Sequence, residues 1–272
     1  VGGRSSRMGS AKAALPWHGS TLLDRTVRIL ARTMPVAVVR APNQQLPELS
    51  TDVSIVVDEI EGRGPLQGLA AGLTAQRDRA EVAFVCSTDL PFLHPAYIAR
   101  VLDCLREGDD AAVPHARGHR QPLAAAYRTS LGRKVRELVH AGERKPKVLL
   151  DQVRTRWLSE EDLLADPRLA ALDPDLQSVH NVNEPADHAE AHEAPPPTIT
   201  VERFGTLALK GANSRGPQHV VAATVGAAAE VIGLDFDRHV VAAINGESVT
   251  RDRTTPVVAG DHVAFISADA GG

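Results

Sequence analysis

Short apolar runs alternate with amphipathic segments along residues 21–185. Apolar residues between positions 22 and 30 recur at helical spacing and predict a helix over Thr21–Thr33. Apolar runs follow as PVAVV at 35–39, as VSIVVD ending at Asp58, and as VAFVCSTD ending at Asp89. This alternation of strands and helices predicts an α/β fold in which helices cover both faces of a mostly parallel sheet.

The pattern changes after the segment HAEAHEAPPPT at 188–198, because three consecutive prolines can continue neither a helix nor a sheet ladder. Beyond it, the order strand, strand, helix, strand, strand predicts a small α+β domain. The segments are TITVERF, QHVVAA, Val225–Ile232, HVVAAIN and HVAFIS. We therefore expect a first domain over 1–190, a proline-rich linker over 191–198 and a second domain over 199–272.

Composition restricts the class of protein. The 272 residues have a hydrophobic fraction of 43% and a net charge of −4, which disfavours a general nucleic-acid or anionic-membrane binder. The two cysteines, Cys86 and Cys104, show no metal-type spacing, and no apolar run is as long as a membrane span. These features predict a cytoplasmic protein whose basic site is local, without a nucleic-acid or membrane partner.

The stretch VGGRSSRMGSAK predicts an anion-binding loop. Gly2 and Gly3 allow close approach of the backbone to a ligand, while Arg7 and Lys12 can neutralise phosphate oxygens. The spacing matches neither the P-loop nor the dinucleotide-binding loop, and taken alone such a stretch is also typical of a mobile tail. Because these loops normally follow a buried strand, we expect the native protein to have one more strand before Val1.

Two aspartates follow predicted strands, and the carboxyl ends of parallel strands are where ligands bind in open sheets. Asp58 opens the turn DEIEGRGPLQGL, in which Gly64 precedes Pro65 at the start of a helix. Asp89 in STDLPF has the chemistry of a Mg²⁺ ligand opposite a nucleotide. Each aspartate could equally cap a turn or a helix.

Four histidines have spacings that could suggest a ligand. His188 and His192 are four residues apart on a predicted short helix, but their polar surroundings favour a solvated face. His115 and His119 flank a predicted hairpin turn and need no ligand.

Taken together, GGRSSRMGSAK, DEIEGRGPLQG, CSTDLPF, HRQPLAAAYR and HNVNEP resemble, in this order, the molybdenum cofactor guanylyltransferase family of nucleotidyltransferases. The resemblance spans nearly all of residues 1–190. It implies a Rossmann-like nucleotidyltransferase sheet, GTP and Mg²⁺ as partners, and transfer of GMP to the phosphate of molybdenum-bound molybdopterin with release of pyrophosphate.

The resemblance also implies roles for individual residues. The loop that holds the base and phosphates is matched by Gly2, Gly3, Arg7 and Lys12, with Arg7, Lys12 and Asp89 as the catalytic set. The nucleoside-binding turn is matched by Asp58 with Gly64, the Mg²⁺ ligand by Asp89, and the pterin-side asparagines by Asn181 and Asn183.

Departures from the family pattern leave the nucleotide open. Ala11 stands where many members have Asp, and Arg40 where an asparagine is frequent. A cytidylyltransferase for the same cofactor shares the loop and the strand-end aspartate, so CTP is the nearest alternative. A further alternative is a module that holds nucleotide or pterin without catalysis.

The tail VAAINGESVTRDRTTPVVAGDHVAFISADAGG is similar to the β-grasp sulfur carriers: the molybdopterin synthase small subunit and its thiamine-pathway counterpart. The resemblance implies a ubiquitin-like domain whose terminal Gly272 is activated by an adenylating enzyme and sulfurated. Which of the two pathways it serves stays open. The alternative is a ubiquitin-like docking module in which the terminal Gly-Gly has no role.

Overall fold

The computed structural model describes residues 12–49, 52–58, 62, 64–209 and 216–268. Contacts divide the chain into two compact units. The first unit extends to Ala191, and the second begins at His192 and includes the short segment Trp17–Ser20. No helix in the described ranges combines the length and the apolar character that crossing a membrane requires.

The elements of the chain up to Glu193 alternate between strand and helix, as expected. The strands are β1 (Pro16–Trp17), β2 (Ser20–Thr21), β3 (Ala37–Arg40), β4 (Ser54–Val57), β5 (Val82–Cys86), β6 (Ala111–Ala116), β7 (His119–Arg120), β8 (Ala124–Arg128) and β9 (Thr155–Leu158). The helices are α1 (Leu22–Ala31), α2 (Pro65–Gln76), α3 (Pro95–Asp103), α4 (Gly132–His140), α5 (Pro146–Leu150), α6 (Glu160–Leu164), α7 (Pro167–Leu172) and α8 (Pro185–Glu193). Proline opens α2, α3, α5, α7 and α8, where the missing N–H costs no helical hydrogen bond.

The sheet of the first unit is mixed, which corrects the expectation of a mostly parallel sheet. β3 and β4 form a parallel pair, and a second sheet has the order β5-β8-β6-β7 with β9 beside β6. β8 is antiparallel to both β5 and β6, while β6 and β9 are parallel. The connections explain these directions. Helix α3 returns the chain so that β6 runs parallel to β5, whereas the tight turn at Arg117 and Gly118 reverses the chain after β6.

Helices cover both faces of this sheet. On one face α2, α4 and α5 bury a cluster that includes Leu66, Leu73 and Val135 against Ala111 and Tyr127. On the opposite face the fully buried Tyr97 of α3 packs its ring against Phe84 at a centroid distance of 6.3 Å. The Tyr97 hydroxyl donates to the carbonyl of Ala124 at 2.9 Å, so the aromatic packing also satisfies a buried polar group.

The second unit has the predicted order of elements. Its strands are β10 (Thr198–Phe204), β11 (Gln218–Val221), β12 (Val240–Ile244), β13 (Ser248–Thr250) and β14 (His262–Ser267), with helix α9 (Val225–Val231) after β11. The sheet order is β11-β10-β14-β12-β13, with β10 and β14 parallel. The apolar side of the sheet and α9 enclose a core. In it the rings of Phe236 and Phe265 pack with their centroids 5.5 Å apart.

Strand β13 is the element of this unit that the sequence pattern did not predict. Asn245 and Gly246, both with positive φ, form the turn from β12 to β13, and Ala243 pairs with Val249. A three-residue edge strand with an exposed valine carries too little apolar alternation to be recognised from sequence.

The contact between α4 and α2 generates a prediction about stability. A Cβ placed on Gly132 would lie 3.0 Å from the backbone nitrogen of Thr74 and 3.1 Å from its Cα, whereas a Cβ on Gly68 would meet nothing within 4 Å. We expect Gly132→Ala to reduce the free energy of unfolding by about 1–3 kcal/mol through overpacking. The matched variant Gly68→Ala should raise it by up to about 1 kcal/mol. Urea denaturation measures both, and equal effects of the two substitutions would contradict the close helix contact.

Candidate functional site

Lys12 contacts two other residues of the predicted site. It begins a short 3-10 helix, Lys12–Ala14. Its ammonium group lies 2.9 Å from Oδ2 of Asp89 and 3.0 Å from Oδ1 of Asn183, residues that are 77 and 171 positions away in sequence. The Lys12 and Asp89 side chains are only 23% and 16% exposed, so solvent screens their attraction less than on an open surface. Three side chains predicted from separate motifs thus form one cluster, the Lys12–Asp89–Asn183 cluster.

Asp89 follows β5 and is held by the residues around it. The hydroxyl of Ser87 donates to Oδ1 of Asp89 at 2.5 Å, and the backbone N–H of Val182 donates to the Asp89 carbonyl at 2.9 Å. Sequence reasoning did not assign Ser87 a role, although a hydroxyl two residues before a strand-end aspartate was a visible signal. The second bond joins the loop after β5 to residues 181–183, called here the NVN stretch.

A buried arginine supports the same loop. Arg25 lies on α1 with only 8% exposure, and its Nε donates to the carbonyl of Pro91 at 2.6 Å. A guanidinium group is not buried without such partners, because removing the charge from water is costly. Helix periodicity alone would assign Arg25 to solvent, which is why the sequence did not indicate it.

The NVN stretch is shaped by Asp187, another residue that sequence reasoning missed. Its Oδ2 accepts hydrogen bonds from the backbone N–H groups of Asn183 and Glu184, both at 2.9 Å. These bonds hold the pKa of the Asp187 carboxyl below its ordinary value. Asn181, by contrast, donates its side-chain amide to the carbonyl of Val179 at 3.2 Å. Asp187 therefore fixes the backbone that presents Asn183 to Lys12.

Asp58 and Gly64 lie on the connection from β4 to α2. The Asp58 N–H donates to the carbonyl of Arg40 at 2.7 Å, while its Oδ1 is buried and has no hydrogen-bond partner among the described residues. Gly64 has φ +82°, and a Cβ there would lie 3.0 Å from the carbonyl oxygen of Arg144. Within the described part of the chain, neither residue is hydrogen-bonded to the Lys12–Asp89–Asn183 cluster. Of the loop residues, Gly2, Gly3 and Arg7 lie outside the described residues, as does Gly272.

Arg40, which departs from the family pattern, bonds within its own loop. Its Nη1 donates to the carbonyls of Ala41 and Gln44, at 3.3 and 3.1 Å. The guanidinium group therefore braces the segment after β3.

The histidines on α8 make contacts that the interpretation as a solvated face did not include. Nε2 of His188 is 3.0 Å from the carbonyl oxygen of Pro16. In the second unit, the ring of His192 stacks on that of His18 at a centroid distance of 4.7 Å. Throughout the described ranges, no group of three or more His, Cys, Asp and Glu side chains could hold a metal ion.

The only cysteine near Asp89 in the described part of the chain, Cys86 at the end of β5, is not suited to be a nucleophile. Burial raises the pKa of its thiol to about 12, so the reactive thiolate is scarce at neutral pH.

The depressed pKa of Asp187 predicts a pH-dependent stability. The folded-state pKa lies below the unfolded value, so the stabilisation is present above about pH 4 and is lost as pH falls through the folded-state pKa. Asp187→Asn keeps an acceptor oxygen but removes the charge, so we expect its melting temperature to be lower than wild type at pH 6 and to approach it at pH 3. Differential scanning fluorimetry measures this, with the exposed Asp175→Asn as control for the loss of one surface charge. A difference between wild type and Asp187→Asn that does not vary with pH would contradict the assignment.

Comparisons with known proteins identify two families along the chain. The family model described as "MobA-like NTP transferase domain" matches residues 1–157, and the model of the ThiS family matches residues 217–272. A "probable molybdenum cofactor guanylyltransferase" from Mycobacterium avium is 39% identical over 155 residues, which cover 56% of this chain and 78% of that protein. The protein of the same description from Mycobacterium tuberculosis is 42% identical over 155 residues, which cover 56% and 76% of the two chains.

Solved structures share the fold. The molybdopterin-guanine dinucleotide biosynthesis protein A from Archaeoglobus fulgidus aligns with a TM-score of 0.56 at 22% identity, covering 71% of this chain and 94% of that one. A nucleotidyl transferase from Methanothermobacter thermautotroptrophicus aligns with a TM-score of 0.51 at 18% identity, covering 71% and 93%. At this identity the likeness shows the fold alone. From the sequence match over more than half its length, the chain belongs to the family of MobA-like NTP transferase domains, and it carries a ThiS family domain over residues 217–272.

Proposed function

We propose that residues 1–190 transfer GMP from GTP to the phosphate of molybdenum-bound molybdopterin and release pyrophosphate. The names of the mycobacterial relatives support the reaction. The observation that carries the proposal is the position of Lys12, whose ammonium group contacts both the strand-end Asp89 and Asn183 of the NVN stretch. Lys12 thus contacts a carboxylate that we assign to the nucleotide side and an amide that we assign to the pterin side. Its ammonium group would therefore lie where the two substrates meet.

On the nucleotide side, we assign Gly2, Gly3, Arg7 and Lys12 to the phosphates and base. Asp58 and Gly64 are assigned to the nucleoside. The unpartnered buried oxygen of Asp58 supports this assignment, because a sugar hydroxyl or a base N–H would supply the donor it lacks. The positive φ of Gly64 favours glycine there, and Arg144 closes the space that a side chain would need.

The oxygen donors at Asp89 fit Mg²⁺. The Asp89 carboxylate and the Asn183 amide oxygen both lie within hydrogen-bond distance of one positive group, the Lys12 ammonium, so they already accommodate a cation. One carboxylate is enough for Mg²⁺, which keeps several waters and takes substrate phosphate oxygens as its other ligands. When bound by Asp89, Mg²⁺ would supply positive charge against the phosphates.

The chemistry itself needs no protein nucleophile. An oxygen of the acceptor phosphate attacks the α-phosphorus of GTP, and the bond from that phosphorus to the bridging oxygen breaks, so that pyrophosphate leaves with the electron pair. Lys12 offsets the negative charge that develops on the leaving group, and Asn181 and Asn183 hold the acceptor side. Ser87 and Arg25 keep Asp89 and its loop in place through the bonds described above.

The direct test is to incubate the purified protein with labelled GTP, CTP or ATP, Mg²⁺ and metal-loaded molybdopterin, and to identify the nucleotide that becomes joined. GMP transfer supports the proposal, and preferential CMP transfer would replace it with a cytidylyltransferase. Tight nucleotide or pterin binding without transfer would indicate the non-catalytic binding module.

Two substitutions test the role of the site residues in transfer without disturbing the fold. We expect Asp89→Ala and Lys12→Ala each to lower kcat/KM for nucleotide transfer by on the order of 10²–10³-fold, because each removes charge that stabilises the transition state. The circular dichroism spectrum should be unchanged. Lys147→Ala removes an exposed lysine elsewhere in the first unit and serves as the matched control. Wild-type rates in both site variants would place the reaction in a different pocket.

We propose a second activity for the ThiS family domain, that of a sulfur carrier. The β-grasp sheet with α9 and the Gly271–Gly272 sequence support it. An adenylating partner enzyme would transfer AMP from ATP to the carboxylate of Gly272 with release of pyrophosphate, and hydrosulfide from a sulfur source would then displace AMP to give a thiocarboxylate. Residues without Cβ suit a narrow active site that excludes side chains.

This activity predicts a mass change at Gly272. After incubation with an activating enzyme, ATP and a sulfur source, mass spectrometry should show one oxygen replaced by sulfur. Deletion of Gly271 and Gly272 should abolish the product while leaving nucleotide transfer by the first domain intact. Thiocarboxylate formation on a variant extended beyond Gly272, without proteolytic trimming, would exclude the mechanism.

A further inference from the structure

An arginine at the tip of the β6–β7 hairpin is exposed yet held on several sides. Arg117 has φ +53°, and its backbone N–H donates to Oε1 of Glu160 at 2.6 Å. Its Nη1 donates to the carbonyl of Asp175 at 3.0 Å. Long side chains on a surface normally keep their rotamer freedom, so the cost of ordering this guanidinium group is met before any ligand arrives.

His180 and Phe92 extend this arrangement. Nη2 of Arg117 lies 3.4 Å from Nδ1 of His180, and the His180 ring contacts the Phe92 ring at 5.8 Å with an interplanar angle of 65°. A guanidinium group can only donate, so Nδ1 of His180 is the acceptor and the ring proton is on Nε2. Arg117, His180 and Phe92 thus form a cluster of two rings and a guanidinium group, called here the Arg117–His180–Phe92 cluster.

This cluster flanks the Lys12–Asp89–Asn183 cluster. Phe92 is three residues beyond Asp89 on the loop that Arg25 tethers, and His180 is two residues before Val182, whose N–H bonds the Asp89 carbonyl. His180 is also three residues before Asn183, whose side chain bonds Lys12. The two clusters therefore lie on the same pair of neighbouring segments, residues 89–92 and 180–183.

The geometry points to the Arg117–His180–Phe92 cluster as the subsite for the planar heterocycle of the acceptor. This inference rests on the function proposed above, and it adds residues that determine acceptor specificity beyond Asn181 and Asn183. Aromatic rings offer faces and edges to a flat conjugated ring, and a guanidinium group stacks on it or donates to its carbonyl oxygen.

The hydrogen-bonding groups match a pterin edge. Arg117 uses its two terminal nitrogens in the described contacts and keeps further N–H groups, and His180 contributes the N–H of Nε2. Oδ1 of Asn183 accepts from Lys12, so its amide N–H₂ is the group left to donate, whereas Asn181 donates to Val179 and presents its oxygen as an acceptor. A pterin has a carbonyl oxygen and ring nitrogens that accept, together with an amino group that donates to such an oxygen.

The test measures pterin binding separately from transfer. The probe is an oxidised, fluorescent pterin that carries a phosphate-ester side chain, titrated into the full chain, and GTP binding is measured in parallel by calorimetry. Arg117→Asn removes the guanidinium group with a residue that tolerates positive φ. His180→Leu removes both ring nitrogens at similar volume. The matched control is Arg133→Asn, which removes an exposed arginine paired with Glu137 on α4.

We expect both cluster variants to weaken pterin binding by about tenfold, the effect of losing one hydrogen bond to the ligand, with GTP affinity unchanged. In the transfer assay they should raise KM for molybdopterin with little effect on kcat. Pterin affinity equal to wild type in both variants would overturn the inference while transfer by the wild type still upheld the proposed function. Weakened GTP binding in place of pterin binding, or no pterin binding by the wild type, would also overturn it. Absence of transfer with intact, cluster-dependent pterin binding would instead refute the proposed function alone.

Discussion

The ammonium group of Lys12 contacts both the Asp89 carboxylate and the Asn183 amide, and the arrangement of the candidate site depends on this pair of contacts. The three residues come from different local structures: a short 3-10 helix, the segment after β5, and the segment before α8. The Lys12 and Asp89 side chains are only partly exposed, so separating the two charges would leave each of them poorly solvated.

The contacts around this cluster explain how it is held. Arg25 on the buried helix α1 bonds the loop after Asp89, Ser87 orients the carboxylate, and Asp187 organises the backbone of the NVN stretch. None of these residues needs to touch a substrate to affect the reaction. Positioning residues of this kind matter because phosphoryl transfer relies on geometry and electrostatics more than on covalent participation by the protein.

The chain carries two cores with different architectures. One is a mixed sheet covered by helices on both faces, and the other is a five-stranded sheet packed on α9. Each core buries its own apolar residues and satisfies its own sheet hydrogen bonds. This organisation agrees with two separate family matches along the chain and is compatible with each unit performing its own chemistry.

Periodicity and turn chemistry were sufficient to predict the succession of strands and helices, the hairpin at Arg117 and, apart from β13, the strands and α9 of the second unit. The family resemblance carried by the order of the motifs was sufficient to name Lys12, Asp89 and Asn183 as candidate site residues. The sequence could not indicate that β8 runs antiparallel between β5 and β6, since pairing partners depend on contacts distant in sequence. Nor could it separate Arg25, Asp187, His180 and Phe92 from ordinary polar and aromatic residues. Their contacts depend on distances and burial that exist only once the strand ends, the hairpin and the NVN stretch are packed together. The sequence therefore determined which chemical groups were available, and the tertiary structure decided which of them meet.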